Sequence, residues 1–406
     1  MNADFPRLLV ATEAWPNGPG GGLAVIRQML RDWPAERLFW WSCFPDRDQH
    51  FGRQVAVHRV ARIPPKLYPQ HRWCGQKSWL LEKVWTPWAT RHFRKTLDTL
   101  KPDVLWVIPH AWAIPPLAHV LLKARIGFHV TMQDFMDSNG YLARYGTDRC
   151  QRWTKQAEQL YRSATTRDAT SLPMISDLRA HTGATAAQML HAGLEEEDFE
   201  YLAKTPENRA NEIRIAYAGT VIAEREITLF AQALGRIRRQ LPAPVRLDFF
   251  GDHSYRSRAW FDAAWMRERG NLPAAELSRA LRDCTWGFSP MELNDDNPRY
   301  NRFSFPTKFI TYLAAGLPVI TLGHPESSVV KMAQAYRVGL CVTSDDPEVL
   351  GRDLLAALSL PNAWAKYGQE ILRCAQIEFD ARRMRRVLYD CFGRCAEQSR
   401  RGAGSP

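Results

Sequence analysis

The 406-residue chain has no apolar run approaching the ~20 residues that a membrane-spanning helix needs. Its opening, Met1 to Arg7, lacks the basic start and apolar core of a secretory signal, so the expectation is a cytoplasmic protein. Cysteine is sparse and scattered: there are eight, and the nearest two, Cys391 and Cys395, have three residues between them. That spacing is not the C-x-x-C of a redox centre, nor a convincing zinc site, and it points to reduced thiols. No D-x-D pair stands in a convincing setting, because Asp295 and Asp296 are adjacent rather than spaced; no metal site is expected. Gly20-Gly21-Gly22 lacks the lysine of G-x-x-x-x-G-K-[ST], and it also lacks the G-x-G-x-x-G spacing with a downstream acid. This excludes the ordinary P-loop and dinucleotide fingerprints.

Acids are outnumbered, and the resulting charge of +11 is uneven. From Arg59 to Lys101 there are ten Lys/Arg against Glu82 and Asp98 alone. Trp73, Trp79, Trp85 and Trp88 lie in the same stretch, and eleven of fifteen tryptophans precede residue 154. Cations interleaved with Trp suit the headgroup zone of an anionic membrane, with residues 66–101 as the contact. Nucleic acid is the competing partner for so basic a chain and the less favoured one. The plain alternative is a solvated helix whose tryptophans face the core.

Hydrophobic content of 45% is ordinary for a globular protein, and the length suggests two or three domains. Short apolar runs at residues 7–12, 38–42, 55–60, 103–108 and 127–132 read as strands, with a weaker one at 169–174. The first leads through a glycine-rich turn into helical spacing from Leu23 to Trp33, the opening of a doubly wound domain. The pattern restarts with strands at 212–219, 245–251 and 286–290 and helices at 227–240 and 274–283. The fold class is therefore α/β, with two Rossmann-like domains facing a cleft. The division expected is 1–200, 201–385, and a helical or disordered tail at 386–406, with Ser399 to Pro406 disordered.

The densest signal runs from Phe305-Pro306-Thr307-Lys308 to Gly316-Leu317-Pro318-Val319-Ile320. Ser304 is placed to cap a helix, Pro306 suits its first position, and Gly316 supplies a left-handed stop. A helix N-terminus with a lysine in its first turn is a site for an anion such as a nucleotide diphosphate. A plain helix–loop–strand unit would carry the same local spacing.

The run resembles the nucleotide-sugar segment of the GT-B glycosyltransferases, usually P-T-K-x-x-E-Y-L-A-A-G-x-P-V, with Thr311 where the family has Glu. A second likeness begins at Gly219, where the family reads G-R-x-x-x-x-K-G. Thr220 replaces its Arg, and Arg225 occupies its Lys position and keeps a phosphate-binding cation. The resemblance implies a donor site containing Gly219, Arg225, Met291, Ser304, Thr307, Lys308 and Thr311. The donor would be a UDP- or GDP-sugar, with no other cofactor and no metal. The family's Glu-x7-Glu pattern would begin at Phe303, where no carboxylate stands; Glu292, Asp295 and Asp296 are the nearby acids.

On the acceptor side, Thr131-Met132-Gln133-Asp134 resembles the family's strand-end T-x-H-D, with Gln for His. Asp134 is the first candidate for the base of an inverting transfer, with Asp137 its neighbour and His110 a lower-ranked candidate at another strand end. Gly21 and Gly22 would let the backbone approach the substrates. The implied reaction is sugar transfer to an acceptor hydroxyl; the acceptor expected is a lipid-linked glycan in bacterial polysaccharide synthesis, and the location expected is peripheral, on the inner face of the cytoplasmic membrane. A GT-B sugar-nucleotide epimerase, or an inactive sugar-nucleotide-binding protein, is the alternative reading.

Overall fold

The computed structural model describes residues 5–18, 20–45, 54–68, 73–124, 126–204 and 212–403. Two compact units divide the chain. Residues up to His191, together with those from Arg382 onward, form the first, and Ala192–Ala381 the second.

In the first unit six strands form one sheet: β1 (Leu8–Ala11), β2 (Leu38–Ser42), β3 (Val57–Val60), β4 (Val104–Val107), β5 (Phe128–Met132) and β6 (Thr166–Ala169). Their spatial order is β3-β2-β1-β4-β5-β6, and every neighbouring pair is parallel. β1, β2, β4 and β5 are buried along their whole length, as continuous apolar runs in a helix-covered parallel sheet must be. Strand order reverses between β1 and β4, which makes their C-terminal ends the place where such sheets bind ligands.

The weak strand expected at 169–174 lies instead at Thr166–Ala169, and Leu172–Thr182 is a helix with Pro173 in its first turn. Arg167 and Asp168 hide this strand from a hydrophobic pattern; Asp168 is fully buried because it pairs with His129 of β5 at 2.9 Å. The tail expected to be helical or disordered is helical as far as it is described. Ala381–Ala403 is one long helix, and its residues from Arg382 onward pack on the first unit. Arg385 donates to the Gln28 carbonyl and pairs with Asp32 at 3.0 Å, and Tyr389 donates to the Met29 carbonyl. The Ser399 hydroxyl accepts the Gly127 amide hydrogen, and a Cβ at Gly127 would lie 2.1 Å from the Cys395 carbonyl oxygen. Of the residues expected to be disordered, 399–403 are thus helical, and 404–406 lie outside the described residues.

The second unit repeats the design with β7 (Ile213–Ala218), β8 (Val245–Phe250), β9 (Met266–Gly270), β10 (Trp286–Pro290), β11 (Val319–Leu322) and β12 (Gly339–Val342). The order is β12-β11-β10-β7-β8-β9, again all parallel, with the reversal between β7 and β10. Helix Glu224–Ile237 buries Ile227, Phe230, Leu234 and Ile237 at helical spacing, and Phe230 stacks on Phe288 of β10 at 3.8 Å. The polar run Met266-Arg-Glu-Arg-Gly270 gives no strand signal; it forms a largely exposed edge, where charge is tolerated.

Candidate active site

In the first unit the turns after β1 and β4 meet. Glu13 follows β1 and is buried; its carboxylate accepts the Trp112 amide hydrogen at 3.3 Å and lies 2.9 Å from His110 Nδ1. His110 follows β4, and its Nε2 is 2.9 Å from the Tyr141 hydroxyl. The next residue, Ala111, has φ +38°, a strained value for a residue with a side chain. Burial pulls the His110 imidazole down, but the Glu13 hydrogen bond and the charges of Glu13 and Asp134 outweigh it and leave it above the ordinary value. Both ring nitrogens are engaged, and the ring favours its charged form. His110 is therefore better suited to positioning or proton donation than to removing a proton.

Asp134 lies two residues beyond β5. Among the described residues its carboxylate makes no hydrogen bond, and it is only partly covered. Burial raises its pKa, and the nearby His110 works in the opposite direction. A raised, unengaged carboxylate is the chemistry of a general base. Gln133 beside it donates to the Gly22 carbonyl at 3.1 Å, and a Cβ at Gly22 would lie 2.4 Å from Gln133 Oε1. A side chain at this position would displace the Gln133 amide from that bond; Gly21 is the first residue of helix Gly21–Met29. Asp137 is half-buried; burial raises the Cys150 thiol, and the Asp137 charge adds a smaller push in the same direction. The Arg144 guanidinium opposes the charging of His110 and lies over the rings of Tyr68 and Tyr145.

In the second unit the reversal point is built around two tyrosines. The Tyr312 hydroxyl, on helix Thr307–Ala314, accepts from the Ala218 amide at the end of β7 and donates to the Phe288 carbonyl of β10. A Cβ at Gly287 would lie 2.3 Å from the Tyr312 ring, so glycine there lets the helix sit against β10. Lys308, in the first turn, donates to the Tyr217 hydroxyl at 2.7 Å and sits 3.9 Å over that ring. The Tyr217 hydroxyl in turn donates to the Thr220 carbonyl, which leaves its lone pairs to the ammonium. Burial alone pulls Lys308 down to about 7. No carboxylate pairs with it among the described residues. The helix has no side-chain cap and no acid in its first turn. A half-buried lysine and uncapped helical amides at a sheet reversal form an anion site.

The remaining donor candidates fall around this point with differing roles. Gly219 directly follows β7 with φ +93° and donates to the Phe250 carbonyl. Met291 directly follows β10 and is buried, donating to the Leu322 carbonyl. Thr307 opens the helix, and its carbonyl accepts from the Thr311 hydroxyl at 3.1 Å. Ser304 does not cap this helix. It ends the preceding helix Pro298–Phe303, its carbonyl accepts from Ser328 Oγ, and Pro306 takes the cap position. Arg225 is mostly exposed and pairs with Asp345 at 2.8 Å. Among the acids, Asp295 pairs with Arg302 and Asp296 accepts from Asn294. Glu292 is half-buried, and its carboxyl is raised by burial and then by Glu226 and Asp296. Buried Glu226 accepts the Leu293 amide hydrogen.

Glu13, Tyr141 and Tyr217 join the site without a sequence signal. An acid two residues past a strand reads as loop, and a tyrosine inside an apolar strand reads as core.

Solved structures share this architecture across nearly the whole chain. WaaG, a glycosyltransferase involved in lipopolysaccharide biosynthesis, is 11% identical, with a TM-score of 0.59 over 98% of this chain and 100% of its own. Sucrose-phosphate synthase from Thermosynechococcus elongatus is 14% identical, with a TM-score of 0.66 over 94% and 96%. A UDP-forming α,α-trehalose-phosphate synthase from Burkholderia xenovorans, in complex with glucose-6-phosphate, is 12% identical, with a TM-score of 0.62 over 96% and 100%. The fold is that of the GT-B glycosyltransferases. No protein-family model matches the sequence, and no curated protein does. At these identities the likeness establishes the GT-B fold; what the GT-B site does rests on its own residues.

Proposed function

We propose that this chain is a glycosyltransferase that moves a sugar from a nucleoside diphosphate to an acceptor hydroxyl. The observation that carries this reading is Lys308, half-buried and without a carboxylate partner among the described residues, at an uncapped helix start on the reversal point of the second sheet. A diphosphate would restore the charge that burial removes from Lys308 and would take the free amides of the helix. The same contacts strengthen as negative charge develops on the departing diphosphate. Arg225 would supply a second cation by exchanging exposed Asp345 for phosphate, a small loss because exposed pairs contribute little. Thr311 would offer a hydroxyl to the ribose where relatives of the motif offer a carboxylate.

In the first unit Asp134 would take the proton from the acceptor hydroxyl as its oxygen bonds to the anomeric carbon and the bond from that carbon to phosphate breaks. One base and one displacement give inversion. The acceptor would be a glycan hydroxyl, in keeping with WaaG's part in lipopolysaccharide biosynthesis and with the sugar phosphate held by the trehalose-phosphate synthase. A lipid-linked glycan is the acceptor class we favour.

The test is release of nucleoside diphosphate from a panel of UDP- and GDP-sugars, with and without lipid-linked acceptors. Acceptor-dependent release with an inverted product is the expected result. Acceptor-independent conversion to another sugar nucleotide would make the chain an epimerase. Binding without turnover of any donor would make it a binding protein.

A further inference from the structure

We propose that the outer face of the helical stretch from Trp73 to Lys95 is a docking surface for an anionic lipid membrane. Exposed large apolar side chains are concentrated there: Trp73 is 66% exposed, Trp79 56%, Val84 62% and Trp88 45%. The stretch is one continuous rod, with helix Cys74–Leu80 passing through a π-helical turn at Leu81–Trp85 into helix Thr86–Leu100. Ser78, Leu81, Trp85, Ala89, Phe93 and Leu100 form its buried side. Trp85 belongs to that side, with its indole N–H on the Arg62 carbonyl at 3.2 Å. Trp73, Trp79 and Trp88 do not, so core packing accounts for one of the four tryptophans and leaves three facing outward. Residues 69–72 lie outside the described residues.

The charge on this face is one-sided. Lys83, Arg91, Arg94 and Lys95 are exposed along the rod, and Arg59 and Lys66 are exposed just before it. Arg59 and Lys95 both act on His92, whose imidazole is lowered by burial and then by these two cations, and the His92 ring lies 5.4 Å from that of Trp88. Trp88 and these cations therefore share one patch, and Trp73, Trp79 and Val84 are exposed on the same rod. Glu82 does not offset it, because Arg149 at 2.6 Å and Arg152 at 3.0 Å hold its carboxylate. Asp98, exposed one turn after Arg94 and Lys95, is the remaining acid and leaves the cations in excess. Indoles settle at the headgroup level while cations meet anionic lipid, so the two residue types reinforce each other on one surface. A single-stranded nucleic acid would be held in a basic groove with stacking rings, and would leave exposed Val84 without a role. The inference is independent of the transfer reading, because it needs no donor.

The full chain should co-sediment with vesicles of mixed phosphatidylglycerol and phosphatidylcholine, far less with pure phosphatidylcholine, and less as salt rises. Lys83→Gln/Arg91→Gln/Lys95→Gln should lower the partition coefficient roughly 100-fold, from the usual contribution of a near-surface cation. Trp79→Ser/Trp88→Ser should also release the protein, because it removes the apolar part of the contact. Arg236→Gln/Arg239→Gln/Lys366→Gln, an equal charge change in the second unit, should bind as wild type does, and circular dichroism checks that all variants fold. Equal binding to neutral and anionic vesicles, no binding, or equal loss in the second-unit variant would overturn the proposal. So would an oligonucleotide that displaces the vesicles and binds the wild type but not the Lys/Arg variant; that result would give the face to nucleic acid.

Discussion

Asp134 and His110 illustrate how one residue's neighbours decide its chemistry. Both stand at strand ends, and both titrate in reach of each other. His110 is held on one side by Glu13 and on the other by Tyr141, and its shift favours the charged ring. Asp134 keeps its carboxylate free of hydrogen bonds among the described residues, and burial raises it. Asp134→Asn preserves size and removes basicity, so turnover should fall by ~10²–10⁴ while donor affinity stays within about twofold. Steady-state rates and calorimetric donor titration of the same preparation check both halves. Near-normal turnover would pass the role to Asp137, and a product that keeps the donor's anomeric configuration would end the assignment. At this scale the sequence was informative where a residue type is unusual for its place. Lys308 stands in a recognisable run, and Asp134 follows an apolar strand. It was silent on Glu13 and Tyr217, whose partners arrive from distant parts of the chain, and it misjudged Ser304, because the helix ending there was not visible.

Strands and helices followed the hydrophobic pattern closely where burial is uniform. The reading at 38–42 matches β2, and that at 286–290 matches β10. It failed where polar residues are buried by pairing, as in β6, or exposed on an edge, as in β9. The His129–Asp168 pair that corrects β6 also carries a pH consequence. Burial lowers the His129 pKa, but the charge and hydrogen bond of Asp168, and then Cys391 of the C-terminal helix, outweigh it and raise the ring to about 9. Because the folded value lies above the unfolded one, this stabilisation is complete below about pH 6.5. It is lost as pH rises through about 9, a change on the order of 3 kcal/mol. Urea denaturation from pH 6.5 to 9.5 should show the decline. The double variant His129→Leu/Asp168→Leu should flatten it, since a buried pair can be replaced by apolar residues at little cost. An unchanged slope in the double variant would place the pH dependence elsewhere.

Across the whole molecule, two sheets of the same parallel order each end in a polar cluster at their reversal point. The first gathers Glu13, His110 and Asp134, and the second gathers Lys308, Tyr217 and the start of helix Thr307–Ala314. The central claim is that the second cluster holds a nucleoside diphosphate. Its most direct test is calorimetric titration of the wild type and Lys308→Ala with UDP and GDP, at pH 7 and pH 8, in buffers of differing ionisation enthalpy. Lys308 at about 7 is largely neutral in the free protein at pH 8, and a bound diphosphate would restore its charge. The wild type should therefore bind one of the two ligands with proton uptake approaching one per site at pH 8, and with affinity that falls from pH 7 to 8. Lys308→Ala should lose the uptake and bind ~10–150-fold more weakly at pH 7, from a charge-assisted hydrogen bond of about 1.5–3 kcal/mol. Equal affinity in the two proteins, or no binding of either ligand to the wild type, would contradict the account.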